Sequence, residues 1–254
     1  MLKQVKIFFT AMAFLSRLPC SRFASFASED MEKAPRYFTL IGIIIGALTG
    51  LIYYLALQVF SHEISILISM ITSVLITGAF HEDGFADSCD AFGSGQNKDQ
   101  ILLIMKDSRI GSYAAIGLIL LLLLKFKALS SLKPELIIPV IIIAHALSRM
   151  AAVTVMYLLP YARKEDKRSK TSTIARSISG LDFIIVFIFG VCPIFLINYK
   201  YLLLLIPIYI FIALYVRYLS LKLKGYTGDS LGAIQQITEV MVYLIFILPL
   251  WKFI

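Results

Sequence analysis

The chain has 254 residues, of which 59% are hydrophobic, and its mean hydropathy of +0.85 lies far above that of soluble domains, in which about half the residues are apolar. The composition excludes a water-soluble enzyme and points to an integral membrane protein. A net charge of +8 is spread over several loops rather than gathered on one soluble face, which argues against a nucleic-acid partner.

From the N-terminus, Lys3 and Lys6 precede an apolar run, Ile7 to Leu15, that Arg17 interrupts. The run is too short for a signal peptide, so residues 3–17 are expected to form an amphipathic or re-entrant helix at the cytoplasmic interface. Apolar stretches near the roughly 20 residues that cross a bilayer follow at 38–60, 64–80, 111–127, 135–159, 181–197, 201–219 and 237–254. The expectation is an all-α polytopic integral membrane helical bundle of about seven spans, forming a single catalytic domain over residues 1–254. Pro207 is expected to kink the sixth span.

With the N-terminus inside, the inside segments hold eighteen Lys and Arg residues and the outside segments five: Lys125, Lys127, Lys133, Lys200 and Lys252. Cytoplasmic loops carry the excess of these cations, so this orientation follows. The long loops, 81–110, 160–180 and 220–236, are then all cytoplasmic. Everything capable of chemistry lies on one face. Cys20, Cys89 and Cys192 form no C-x-x-C pair, and Cys89 reads as a small packing residue.

The first long loop holds six of the sixteen acids: Glu82, Asp83, Asp87, Asp90, Asp99 and Asp107. Asp83, Asp87 and Asp90 are spaced i, i+4, i+7, so they share one side if the apolar helix of 64–80 continues past His81. Three like charges on one face repel unless a divalent cation bridges them, and oxygen ligands favour Mg2+, Mn2+ or Ca2+. Gly84 allows a phosphate or another backbone to approach closely. A turn at Gly93 to Gly95 leads into a short helix, and Lys106, Asp107 and Arg109 follow at the mouth of the next span.

In the fourth span His145 and Arg149 share a face, and a buried Arg requires a partner, either a phosphate or a carboxylate. His145 alone also reads as a polar residue at a helix contact. The loop Gly225 to Glu239 has glycines, Gly228 among them, whose backbone could cradle a phosphate at a helix start, with Asp229 as cap or metal ligand. Gln236 and Glu239, one turn apart at a membrane entry, strengthen that reading.

The segments His81 to Asp87, Ile104 to Gly111, Ala144 to Arg149 and Gly225 to Glu239, together with the opening Phe8 to Pro19, resemble the cobalamin synthase family, the adenosylcobinamide-GDP ribazoletransferases. The resemblance runs in order along nearly the whole chain. It implies a Mg2+-dependent enzyme of the bacterial inner membrane, with its active site on the cytoplasmic face. The implied reaction joins adenosylcobinamide-GDP to α-ribazole or its 5′-phosphate, gives adenosylcobalamin or its 5′-phosphate, and releases GMP. Glu82, Asp83, Asp87 and Asp90 are the expected metal ligands, and Glu82, Asp83, Asp87 and Asp229 the expected catalytic carboxylates. His81, Lys106, Asp107, Arg109, His145, Arg149, Gly228 and Gln236 are expected to bind substrate. The acidic motif also resembles, more loosely, that of the CDP-alcohol phosphotransferases, so a phospholipid-making enzyme is the alternative, with a cation-coupled transporter a more distant one. Partners beyond the small-molecule substrates are membrane lipid and, left open, a second copy of the chain. Ala91, Ser94 and Ala114 stand where the family pattern has glycine.

Overall fold

The computed structural model describes residues 2–163 and 178–249. The basic run from Lys164 to Arg176 and the end of the seventh expected span, 250–254, lie outside the described residues. Helix α1 (Leu2–Leu15) buries Ile7, Thr10, Ala11 and Leu15 along one side, as an amphipathic helix should. Helix α2 (Ser28–Lys33) passes through a 3-10 turn, with Pro35 at its start, into α3 (Phe38–Leu57).

Helix α8 (Pro134–Leu158) is the axis of the bundle: every residue from 143 to 156 is buried. Such all-round burial requires helices on several sides, and α3 makes the closest approach. Gly42, Gly46 and Gly50 of α3, at four-residue spacing, lie on His145, Ile142 and Ile138 of α8. A Cβ at Gly46 would stand 2.9 Å from the Ile142 Cα. Small residues at this spacing let two helices meet backbone to backbone, which is how apolar helices associate in lipid.

Helix α4 (His62–Thr77) does not continue past His81. Gly78 (φ 67°) and Ala79 (φ 58°) both adopt the left-handed conformation, and α5 (Phe80–Ser94) leaves at 87° to α4. The turn is pinned from outside by Arg17, whose backbone N–H donates to the Ile76 carbonyl at 2.7 Å and whose side chain covers Gly78. The spacing of Asp83, Asp87 and Asp90 is therefore preserved, but on a separate helix lying across the end of α4.

Helix α6 (Lys98–Ile104) is capped by Asn97, whose side chain accepts from the Gln100 N–H at 3.0 Å. Helix α7 (Ser112–Ser130) packs on α5, with Gly117 against the Cys89 sulfur. Beyond residue 177 come α9 (Gly180–Val191), α10 (Leu205–Leu223) and α11 (Gly228–Phe246). An ion pair of 2.6 Å between Arg36 and Asp182 ties the start of α9 to the turn before α3.

Among the described residues, four helical stretches are long and apolar enough to cross a membrane: 28–57, 112–130, 134–158 and 199–223. The bent pair α4–α5 makes a fifth if it is counted as one span. The protein is thus an all-α, multi-pass membrane protein, whose described residues hold four or five spans by length and composition against the seven expected of the whole chain. The segment 181–197 leaves α-helical geometry at Val191 and continues as a 3-10 turn containing Pro193. The last segment begins earlier, at Gly228, and turns Gln235, Gln236, Thr238 and Glu239 inward. Pro207 sits in the first turn of α10, where its missing N–H has no intrahelical partner to lose, just after the stretch changes from 3-10 to α-helical geometry.

Candidate active site

The site is built on the crossing of α5 and α11. A Cβ at Gly84 would stand 3.0 Å from the Asp229 carbonyl oxygen, and one at Gly232 would stand 3.1 Å from the Gly84 Cα. A Cβ at either position would be tighter than ordinary packing against backbone, so the helices would have to shift by a few tenths of an ångström to admit it. The crossing brings the rim of α5, with Asp83 exposed and Asp87 half-buried, beside the first turn of α11, with Asp229 partly exposed. Burial, and then the charges of Asp229, Asp83 and Asp90, push the Asp87 carboxyl up to about 7. Burial also raises Asp229, an effect that Arg163 partly offsets through an ion pair of 2.9 Å.

Local structure aims these groups. Thr227, not Asp229, caps α11: its hydroxyl accepts from the Ser230 N–H at 3.1 Å, while the Ser230 hydroxyl accepts from the Thr227 N–H at 2.9 Å. Asp229 is left free of the helix end and turns to Arg163. That arginine is delivered by a short parallel bridge in which Tyr226 N–H donates to the Pro160 carbonyl at 3.0 Å and Ala162 N–H to the Tyr226 carbonyl at 2.8 Å. Arg163 as a partner of Asp229 had no signal in the sequence beyond its place in a basic loop.

Two of the four expected metal ligands face elsewhere. Asp90 accepts from the Gly111 N–H at 2.6 Å through one oxygen and from the Ala114 N–H at 2.9 Å through the other, so it closes the N-terminus of α7. Glu82 is buried and turned into the bundle, where it accepts from the Gln236 amide at 2.9 Å; its second oxygen has no hydrogen-bond partner among the described residues. Among the described residues, no three His, Cys, Asp or Glu side chains converge closely enough to hold a metal ion by themselves.

Behind Glu82 lies a buried polar chain. Lys125 donates to the Gln236 side-chain oxygen Oε1 at 2.9 Å and pairs with Glu239 at 2.8 Å; Gln235 and Tyr243 also donate to Glu239, at 2.8 and 3.1 Å. Lys125, expected among the outside cations, is therefore an interior charge. Its partner Glu239 is distant in sequence, and hydropathy alone reads a lysine near a helix end as a loop residue. His145 and Arg149 share a face as expected: the Arg149 NH1 donates to the His145 carbonyl at 3.0 Å. A cavity of about 20 Å³, room for a water, is lined by Glu82, Lys125, His145 and Glu239 together with Thr49, Ser69 and Ser73.

The remaining expected residues are dispersed. His81 is buried and borders a second cavity with Arg149 and Gly228. Asp107 and Arg109 form an exposed ion pair of 2.5 Å beside an open cavity of about 480 Å³ that Asp90, Ser94 and Tyr113 also line. The Arg109 guanidinium, by hydrogen bonding, holds the Asp107 carboxyl down at about 2. Lys106 is exposed next to them.

The family described as Cobalamin-5-phosphate synthase matches residues 7–247. An adenosylcobinamide-GDP ribazoletransferase of Vibrio cholerae is 38% identical over 244 residues, covering 95% of this chain and 93% of its own. One of Shewanella frigidimarina is 39% identical over 248 residues, covering 96% and 95%. No solved structure matches the chain. With the match spanning both α5 and α11, and so the whole carboxylate rim, the chain belongs to the cobalamin-5-phosphate synthase family.

Proposed function

We propose that this enzyme carries out its transfer at the rim where Asp83 and Asp87 meet Asp229. The protein is a transferase of cobalamin synthesis that joins adenosylcobinamide-GDP to α-ribazole, the activity its relatives are named for. In that reaction a ribose hydroxyl of the acceptor attacks the phosphorus attached to cobinamide. The bond from that phosphorus to the bridging oxygen breaks, and GMP leaves. The observation that carries the assignment to this rim is the glycine-on-glycine crossing of α5 and α11, which assembles three carboxylates from two distant parts of the sequence.

The rim suits a divalent cation although it is not a closed cage. Burial first, and then the neighbouring carboxylates, lift Asp87, and those neighbours make the rim a local excess of negative charge. Mg2+ needs only one or two protein carboxylates when substrate phosphates and water complete its shell. Asp83 and Asp87 would hold it, and there it would neutralise the pyrophosphate and steady the attacking and leaving oxygens. Asp229 is the group we assign to take the hydroxyl proton, since Glu82 is turned away and engaged by Gln236. Arg163 orients Asp229.

The inner membrane of a bacterium, with the rim on the cytoplasmic side, is the placement we propose. Moving Lys125 into the bundle lowers the outside cation count from five to four against eighteen inside, which strengthens the orientation. An apolar groove of about 480 Å³ between α4 and α7, lined by Leu67, Ile71, Leu123 and Phe126, is the surface we assign to lipid chains. The deciding experiment incubates purified protein with adenosylcobinamide-GDP, α-ribazole and Mg2+ and follows GMP and the corrinoid product by mass spectrometry. Folded protein that yields neither, but consumes CDP-diacylglycerol, would replace this reading with the phospholipid one.

A further inference from the structure

Gly84 and Gly232 let α5 and α11 touch, but bare backbone has no side chain to interlock, so this contact alone leaves α5 free to turn about its own axis. What fixes the turn lies deeper in the bundle. Asp229, Gly232 and Gln236 recur at i, i+3, i+7 and so form one stripe of α11, which meets Gly84, the His81 carbonyl and the Glu82 carboxylate in turn. The Glu82–Gln236 bond of 2.9 Å is the directional contact of that series.

Gln236 is 2% exposed and engaged at both ends of its amide: Oε1 accepts from Lys125 at 2.9 Å, and Nε2 donates to Glu82 at 2.9 Å. An ammonium offers only donors and a carboxylate only acceptors, so Lys125 dictates which way the amide points and thereby presents its NH2 to Glu82. Lys125 is itself fixed by Glu239 at 2.8 Å, and Glu239 by Gln235, whose amide also donates to the Ser148 hydroxyl of the axial helix α8 at 3.1 Å. The other end of α5 is tied to the same α7 that carries Lys125, through Asp90 at the Gly111 and Ala114 N–H groups. Asp83 and Asp87 lie between these two anchors. Each residue advances an α-helix by about 100°, so the two acids point roughly 100° and 140° around the axis from Glu82, and a rotation there carries both away from Asp229 together.

We infer that Lys125 and Gln236 are positioning residues for the transfer: acting through Glu82, they set the rotation of α5 that turns Asp83 and Asp87 toward Asp229. This role rests on the reaction placed at the rim above, and it moves Gln236 from the expected substrate contacts to the support behind the carboxylates. A misplacement of about 1 Å, caused by a change far from the chemistry, costs on the order of 100-fold in rate. Because Asp83 and Asp87 share one helix, their separation survives such a rotation. Cation binding is then spared while alignment with Asp229 is lost.

The test follows GMP release from adenosylcobinamide-GDP and α-ribazole across a Mg2+ series, together with the melting temperature in detergent. It compares Gln236→Leu, the paired variant Lys125→Met/Glu239→Gln, and all three substitutions combined. The paired variant removes both charges at once, so the bundle keeps its fold while Gln236 loses the donor that orients it. Gln236→Leu and the paired variant are each expected to lower kcat by about 10- to 100-fold, with KM for α-ribazole and the Mg2+ concentration for half-maximal rate within about 3-fold of wild type. The combination is expected to be no slower than the slower of the two, because Lys125 acts through Gln236. Losses that multiply overturn the relay, as does an unchanged kcat in Gln236→Leu. A raised Mg2+ requirement also overturns it, and puts Glu82 or Gln236 at the cation. Should the variants carrying Lys125→Met not fold, Glu82→Leu takes their place: Glu82→Leu/Gln236→Leu no slower than the slower single variant upholds the linkage, and multiplied losses overturn it. Folded wild-type protein that releases no GMP would instead defeat the reaction itself.

Discussion

Gly84 of α5 and Gly232 of α11 meet so closely that a Cβ added at Gly232 would stand 3.1 Å from the Gly84 Cα and 3.0 Å from the His81 carbonyl oxygen. The obstacles on both sides are backbone, which cannot rotate away. Gly232→Ala should therefore separate the two helices, costing about 1–3 kcal/mol as an overpacked contact does. The loss of activity should exceed the loss of thermal stability, since Asp229 moves away from Asp83 and Asp87. A Gly232→Ala enzyme with normal GMP release would remove the crossing from the argument.

Asp87 and Asp90 are one helical turn apart and should fail differently. Asp90→Ala removes the cap of α7 and should cost about 1 kcal/mol, seen as a lower melting temperature in detergent, with the Mg2+ concentration for half-maximal rate unchanged. Asp87→Asn relieves charge crowding, so it should leave the melting temperature equal or higher while abolishing GMP release. The reverse pattern would place the cation at Asp90.

The buried pair Lys125–Glu239 predicts a cycle. Lys125→Met or Glu239→Gln alone leaves an unmatched charge in the bundle and should cost about 3–5 kcal/mol. The double variant should recover much of that loss, because neither charge remains to be compensated. Unfolding in detergent reads all four states. Additive single effects would show that the two charges are not coupled.

Cysteine accessibility checks the orientation. Ser94→Cys, near the end of α5, should react with a membrane-impermeant maleimide only after the cells are opened. Lys133→Cys, in the turn before α8, should react from outside. Labelling at the opposite sides would invert the topology and carry the carboxylate rim with it.

Much of this was legible because it depends on local chemistry. Long apolar runs announced the helices over 38–57, 112–130 and 134–158, and the i, i+4, i+7 spacing announced the acidic face, even though the helix carrying it is not the one expected. The break at Gly78–Ala79 was hidden because an alanine in the left-handed conformation, at a cost of roughly 1–2 kcal/mol, has no signature of its own; contacts with Arg17 hold it there. Glu82, Asp83 and Asp90 look alike in sequence. Their separation into interior residue, rim residue and helix cap depends on Gln236 and the start of α7, partners that only the fold supplies. The glycine spacing at 42, 46 and 50 was present to be read, and it marks the α3–α8 seam.

The bend after α4 also sets a length. Sixteen residues of helix span about 24 Å, some 6 Å less than a typical hydrocarbon layer of about 30 Å. With α5 turning aside at that point, local thinning of the bilayer around α4 is the expected accommodation. Acyl-chain length then becomes a variable of turnover: the enzyme should work faster in vesicles of shorter-chain lipid than in thick ones, with the ledge bearing Asp83 and Asp87 acting as a gauge of membrane thickness.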